Sequence, residues 1–138
     1  MASAVNHQLP RCGPSQTFVT ISAFEGGRIT LPERFFVFPA NPSAKATVPS
    51  LAFLITHPDA SLYLGKKRSK TRPFRMLFDL GLRSDASRYP DQVQKHLSTR
   101  NPYELSPGVA RSLETGGLTP NDIDAVMYSH VHYVGTQK

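Results

Sequence analysis

Proline sets the grain of this chain. Twelve prolines stand among 138 residues, about twice the usual share of roughly 5%. Each removes a backbone donor and is disfavoured in helix interiors. The chain is therefore confined to short elements joined by many loops. Pro58 and Pro73 bracket one such loop, and the strongest strand signals lie on either side of it. Residues 47–57 carry a continuous apolar centre, Leu51-Ala52-Phe53-Leu54-Ile55, which predicts a strand buried on both faces. Residues 74–79 predict a second strand, closed by Asp79-Leu80-Gly81.

The remaining elements follow the same punctuation. Residues 17–24 mix β-branched and aromatic side chains and predict a strand. Gly26-Gly27 predicts a turn after which residues 28–31 pair back onto it. Residues 34–38 are a short apolar run ended by Pro39. Pro90 suits the first position of a helix over residues 91–97. Ser106 suits the cap of the next helix, with Pro107 at its first position and Gly116-Gly117 at its end. Val109, Ala110 and Leu113 share one face of that helix. Thr119-Pro120-Asn121-Asp122 repeats the cap-plus-proline signal before a strand over residues 124–129. Strands first and a strand–helix–strand unit later predict a layered α/β architecture. Residues 1–16 are expected to be a flexible lead, and residues 17–138 one domain.

Composition narrows the function classes. Hydrophobic residues make up 39% and charged residues 19%, enough apolar material for a core. No apolar run approaches the ~20 residues of a membrane helix, so no membrane partner is expected. The first ten residues lack the early positive charge and apolar stretch of a signal peptide. A single cysteine, Cys12, forbids an internal disulfide. Both features predict a reduced, cytoplasmic setting. The formal charge is +6, and Lys66, Lys67, Arg68, Lys70, Arg72 and Arg75 crowd the loop before the second strong strand. No aromatic residues are interleaved among them as a base-stacking platform requires. A solvated loop is the expectation, and a nucleic-acid partner is not.

The candidate chemistry lies at the end of the chain, in Ser129-His130-Val131-His132. Alternate residues of an extended segment share a face, so His130 and His132 are placed to hold one metal ion. Two histidines leave zinc weakly bound, because it takes three or four protein ligands. His7, His57 and His96 are expected in surface or structural roles, and Tyr133 in packing.

The residues from Val48 to Ile55, the turn Phe78-Asp79-Leu80-Gly81, and the segment Asp122-Ile123-Asp124 through Ser129-His130-Val131-His132 together resemble the metallo-β-lactamase superfamily. The likeness is to its lactonase-like hydrolases, fungal members included, and covers about residues 47–133. It implies the N-terminal portion of an αββα sandwich, with residues 17–138 forming a partial domain whose C-terminal half is absent. The family motif reads His-x-His-x-Asp-His. By resemblance His130 and His132 hold one zinc, while Val134 and Gly135 stand where the next ligands belong. Complete relatives hold two zinc ions and a hydroxide that opens a lactone, a lactam or a thioester. Here zinc is expected to be weak or absent, no catalytic residue is assigned, and Asp79 has a structural or metal-supporting role. The implied function is a metal-dependent hydrolase of small lactones or lactams, impaired in this chain. The alternatives are an inactive remnant or interaction module, whose exposed sheet face a partner covers, and, ranked below both, a basic nucleic-acid binder.

Overall fold

The computed structural model describes residues 12–59, 72–130 and 133. Four strands form one sheet in the order β1-β2-β3-β4. They are β1 (Thr20–Pro32), β2 (Lys45–His57), β3 (Phe74–Phe78) and β4 (Ala125–Met127). β1 pairs antiparallel with β2, and β2 with β3, whereas β3 pairs parallel with β4. A parallel pair needs a long crossover. Here it carries the helices α1 (Asp91–Ser98) and α2 (Gly108–Thr115), and 3₁₀ turns at Ala86–Arg88 and Pro120–Asp122.

β1 is one strand, not the predicted hairpin. Its register against β2 shifts between Glu25 and Arg28. Gly27 takes φ +115° there, so the glycine pair absorbs extra chain as a bulge instead of reversing it. The choice is fixed by docking. Gly26 O accepts the Leu82 amide at 2.7 Å, and a Cβ on Gly26 would stand 2.7 Å from Gly81 Cα. Beyond the bulge, β1 is sealed by the segment after α1. Arg28 and Glu104 exchange backbone bonds of 2.7 and 2.9 Å, and Thr30 N–H donates to Arg100 O at 3.0 Å.

The core lies on one side of the sheet. Ala52 and Leu77 pack there with Val109 and Leu113 of α2, flanked by Phe24, Leu54, Leu80, Leu118 and Ile123. Burying a leucine or valine fully is worth about 1.5–3 kcal/mol. Val109 and Leu113 therefore carry much of what holds α2 down. Gly116 and Gly117 end that helix, as expected. The predicted Pro107 start moves by one residue, since Pro107 is itself the cap and Ser106 makes no capping bond.

The other side of the sheet corrects the expectation of a strand buried on both faces. Register places Ile21 opposite Ile55, Ala23 opposite Phe53, Phe53 opposite Phe78, Ile55 opposite Met76 and Phe78 opposite Met127. Directly opposed side chains share a face. That face is apolar, yet Ile21 is 60% and Met127 49% exposed. The αββα sandwich is corrected as well. The described residues form a single mixed sheet with two short helices, and a sandwich requires a second sheet against the first. The architecture is β-rich.

The predicted cap at Thr119 is present as a reciprocal capping box with Asp122, and Asp85 caps the other 3₁₀ turn through Ser87. Hydrogen bonds from the Ser87 hydroxyl and amide hold the Asp85 carboxyl below its ordinary value of 3.8. The Thr119 amide and hydroxyl do the same for Asp122. A carboxyl whose folded value is depressed stabilises the fold above its unfolded value, and loses that contribution as pH falls through the folded one. The double substitution Asp85→Asn, Asp122→Asn is therefore expected to lower the melting temperature at neutral pH. The gap from the parent should close below the ordinary carboxylate range, as read from melts taken across pH. No helix among the described residues is long and apolar enough to cross a membrane.

Candidate functional site at the carboxyl ends of β3 and β4

Parallel strands bring their carboxyl ends to one edge, where open sheets commonly bind ligands. Here that edge joins the Asp79-Leu80-Gly81 turn after β3 to Ser129-His130 after β4. Asp79 takes a left-handed backbone, φ 60°, a conformation that Asp tolerates better than most residues. Its amide continues the ladder to Met127 O at 2.8 Å. Its carboxylate then reaches across, taking the Ser129 amide at 2.8 Å on Oδ1 and the Ser129 hydroxyl at 2.6 Å on Oδ2.

The Ser129 hydroxyl also meets His130 Nδ1 at 2.8 Å. A carboxylate only accepts, and a hydroxyl has one hydrogen to give. With that hydrogen on Asp79, Ser129 Oγ can only accept from His130. The proton of a neutral His130 is thus fixed on Nδ1, and the lone pair on Nε2.

A second chain runs from α1. Arg100 Nη2 lies 2.8 Å from His96 Nε2, and His96 Nδ1 lies 2.8 Å from the Tyr133 hydroxyl. The two rings are nearly parallel at 9°, with centroids 5.6 Å apart. Tyr89 grips Tyr133 from the other side, edge to face at 6.1 Å. The Tyr89 hydroxyl donates to Tyr133 O at 2.9 Å and accepts the Arg83 amide at 2.7 Å. Burial pushes the Tyr89 phenol above its ordinary value of 10.0, which keeps it a donor at neutral pH.

Both chains border one cavity of about 470 Å³, within the range of small-molecule sites. Ile29, Leu31, Leu51 and Leu82 give it apolar walls, and Asp79, His96, Arg100, His130 and Tyr133 its polar groups. Of the residues expected to matter, His130 and Asp79 come together here through Ser129. His132, Val134 and Gly135 lie outside the described residues, and so do Lys66, Lys67, Arg68 and Lys70 of the basic loop. Sequence reasoning gave His96 and Tyr133 no part in a site and passed over Arg100. The one available signal was the four-residue spacing from His96, near the end of α1, to Arg100 just beyond it.

The described residues do not bear out the expected zinc site at His130. Among the described residues no group of three or more His, Cys, Asp or Glu side chains is arranged to hold a metal ion. Asp79 spends its oxygens on Ser129, and His130 Nδ1 does likewise.

No protein-family profile matches the chain. A curated protein of Penicillium roqueforti (strain FM164), described as cytochrome P450 monooxygenase mpaDE, is 28% identical over 126 residues. The match takes in 87% of this chain and 13% of that protein. These findings overturn the expected membership of the metallo-β-lactamase superfamily and the zinc-hydrolase description that came with it. The relative is described as a cytochrome monooxygenase, and no family profile restores the earlier assignment. The chain is similar to a short stretch of a much longer fungal protein, and it spans 13% of that protein's length.

Proposed function

We propose that the chain forms part of an enzyme site in which His130 takes a proton from water as that water attacks the carbonyl of a small cyclic ester or amide. The observation that carries this reading is the Asp79–Ser129–His130 chain, which anchors an imidazole to a carboxylate at the border of the cavity. A positioned general base contributes about 10²–10⁴-fold. The apolar walls suit the carbon skeleton of a small ring. The likeness to a protein named as an enzyme supports the enzymatic part of the reading.

Hydrolysis of δ-valerolactone by the purified chain, followed by pH-stat, tests it. His130→Gln is expected to lower the rate at least about 100-fold, and Asp79→Asn less, since it leaves the imidazole in place without its anionic anchor. A rate that His130→Gln leaves unchanged overturns the reading. A rate abolished by a chelator overturns it as well, because the proposed step uses no metal ion. A second reading, an interaction module, is favoured by the exposed apolar face bearing Ile21 and Met127.

A further inference from the structure

Arg100, His96 and Tyr133 make a chain of opposite polarity to the one ending in His130. A guanidinium donates and never accepts, so His96 Nε2, 2.8 Å from Arg100 Nη2, is the acceptor. A neutral His96 then carries its hydrogen on Nδ1, aimed at the Tyr133 oxygen 2.8 Å away. That oxygen is thereby an acceptor, and the hydroxyl's own hydrogen is left for a further partner. The cationic end of the chain is also held in place. Arg100 lies 5.4 Å over the Phe35 ring, and its backbone carbonyl is tied to Thr30 of β1. In a chain of hydrogen bonds each member polarises the next, so the Arg100 charge makes the Tyr133 hydroxyl a better donor.

We infer that Tyr133, polarised by Arg100 through His96, binds the carbonyl oxygen of a cyclic ester or amide in the cavity. This rests on the carbonyl-hydrolase reading of the same cavity. Water attack needs an acceptor for the water's proton and a donor for the oxygen that gains charge. His130 and Tyr133 border one space and supply one of each. Two gripped aromatic neighbours, His96 and Tyr89, fix the Tyr133 ring. Arg100 and His96 are positioning residues, and Tyr133 is the group that touches the ligand.

Binding of δ-valerolactam to the full chain, set against tetrahydropyran as a ring of the same size without the carbonyl, tests the inference by ligand-observed NMR titration. The lactam is expected to bind roughly tenfold more tightly, the worth of one well-placed hydrogen bond. Tyr133→Phe should erase that preference and leave tetrahydropyran unchanged. Arg100→Met should narrow it and Arg100→Lys restore it, a rescue that a merely structural role does not give. A preference that survives Tyr133→Phe, or no preference in the parent, overturns the inference. Should Tyr133→Phe fail to fold, the Arg100 pair carries the same readout. Lactam binding sensitive to Tyr133→Phe without lactone turnover would sink the hydrolase reading alone. Turnover lost in His130→Gln with binding indifferent to Tyr133→Phe would sink this inference alone.

Discussion

Gly81→Ala is expected to destabilise the fold by about 3 kcal/mol and lower the melting temperature by about 10 °C. Two costs combine. Gly81 sits at φ +62°, where a residue with a Cβ loses about 1–2 kcal/mol. The new Cβ would also stand 2.5 Å from Gly26 Cα and 2.6 Å from Gly26 O. Both are backbone atoms, so no side-chain rotation relieves the contact. The turn and the β1 bulge must separate, which breaks the Leu82 amide bond to Gly26 O, 2.7 Å long. Asp79 lies in the same turn, so its grip on Ser129 should loosen too. Gly117→Ala is the control, because Gly117 has φ +75° with nothing within 4 Å of a built Cβ. It bears the backbone cost alone, about 1 kcal/mol. If the two variants melt together, the Gly26–Gly81 approach contributes nothing.

That approach also shows where the sequence was legible. The strands predicted over residues 47–57 and 74–79 were readable because their β-branched and aromatic runs are local, and so were the glycine stop of α2 and the cap at Thr119. Gly26-Gly27 was not. Two glycines suit a turn or a bulge equally well, and the decision rests on Gly81, far along the chain. Burial of β2 on both faces was misread for a related reason. An apolar run states what a strand would bury, and not whether a covering layer is present, as Ile21 and Met127 show.

The site divides in the same way. A positive-φ turn after one strand and a histidine at the end of another are local marks, and both were visible. What joins them is the parallel pairing of β3 with β4, which sets Asp79 beside Ser129 across 50 positions of sequence. The metal reading of His130 came from its spacing to His132 and from the family resemblance. The Ser129 hydroxyl, one residue earlier, is what fixes the imidazole's tautomer. Tyr133 and His96 meet across 37 positions, and no local pattern links them. The basic loop was read as solvated charge, yet Arg72 is bound to Asp124 by two hydrogen bonds.

Asp124→Ala is expected to cost about 2–3 kcal/mol, chiefly by leaving a backbone donor without its acceptor. The Asp124 side chain is fully buried. Its Oδ2 takes the Arg75 amide at 2.9 Å, while the Asp124 amide returns to Arg75 O at 2.8 Å. This closed pair of bonds starts the parallel ladder, and β4 beyond it is only three residues long. Arg72 also binds the carboxylate, and that hydrogen bond raises the Arg72 pKa. The guanidinium is 38% exposed, so water and salt screen its share. The order of destabilisation should therefore be Asp124→Ala, then Asp124→Asn, which keeps a carbonyl oxygen for the Arg75 amide, then Arg72→Gln. Hydrogen exchange locates the damage. In Asp124→Ala the Asp79 amide, bonded to Met127 O of β4, should exchange faster. Arg72→Gln should leave that amide protected. If Arg72→Gln instead matches Asp124→Ala in both stability and exchange, the ion pair and not the backbone clamp holds β4 in register.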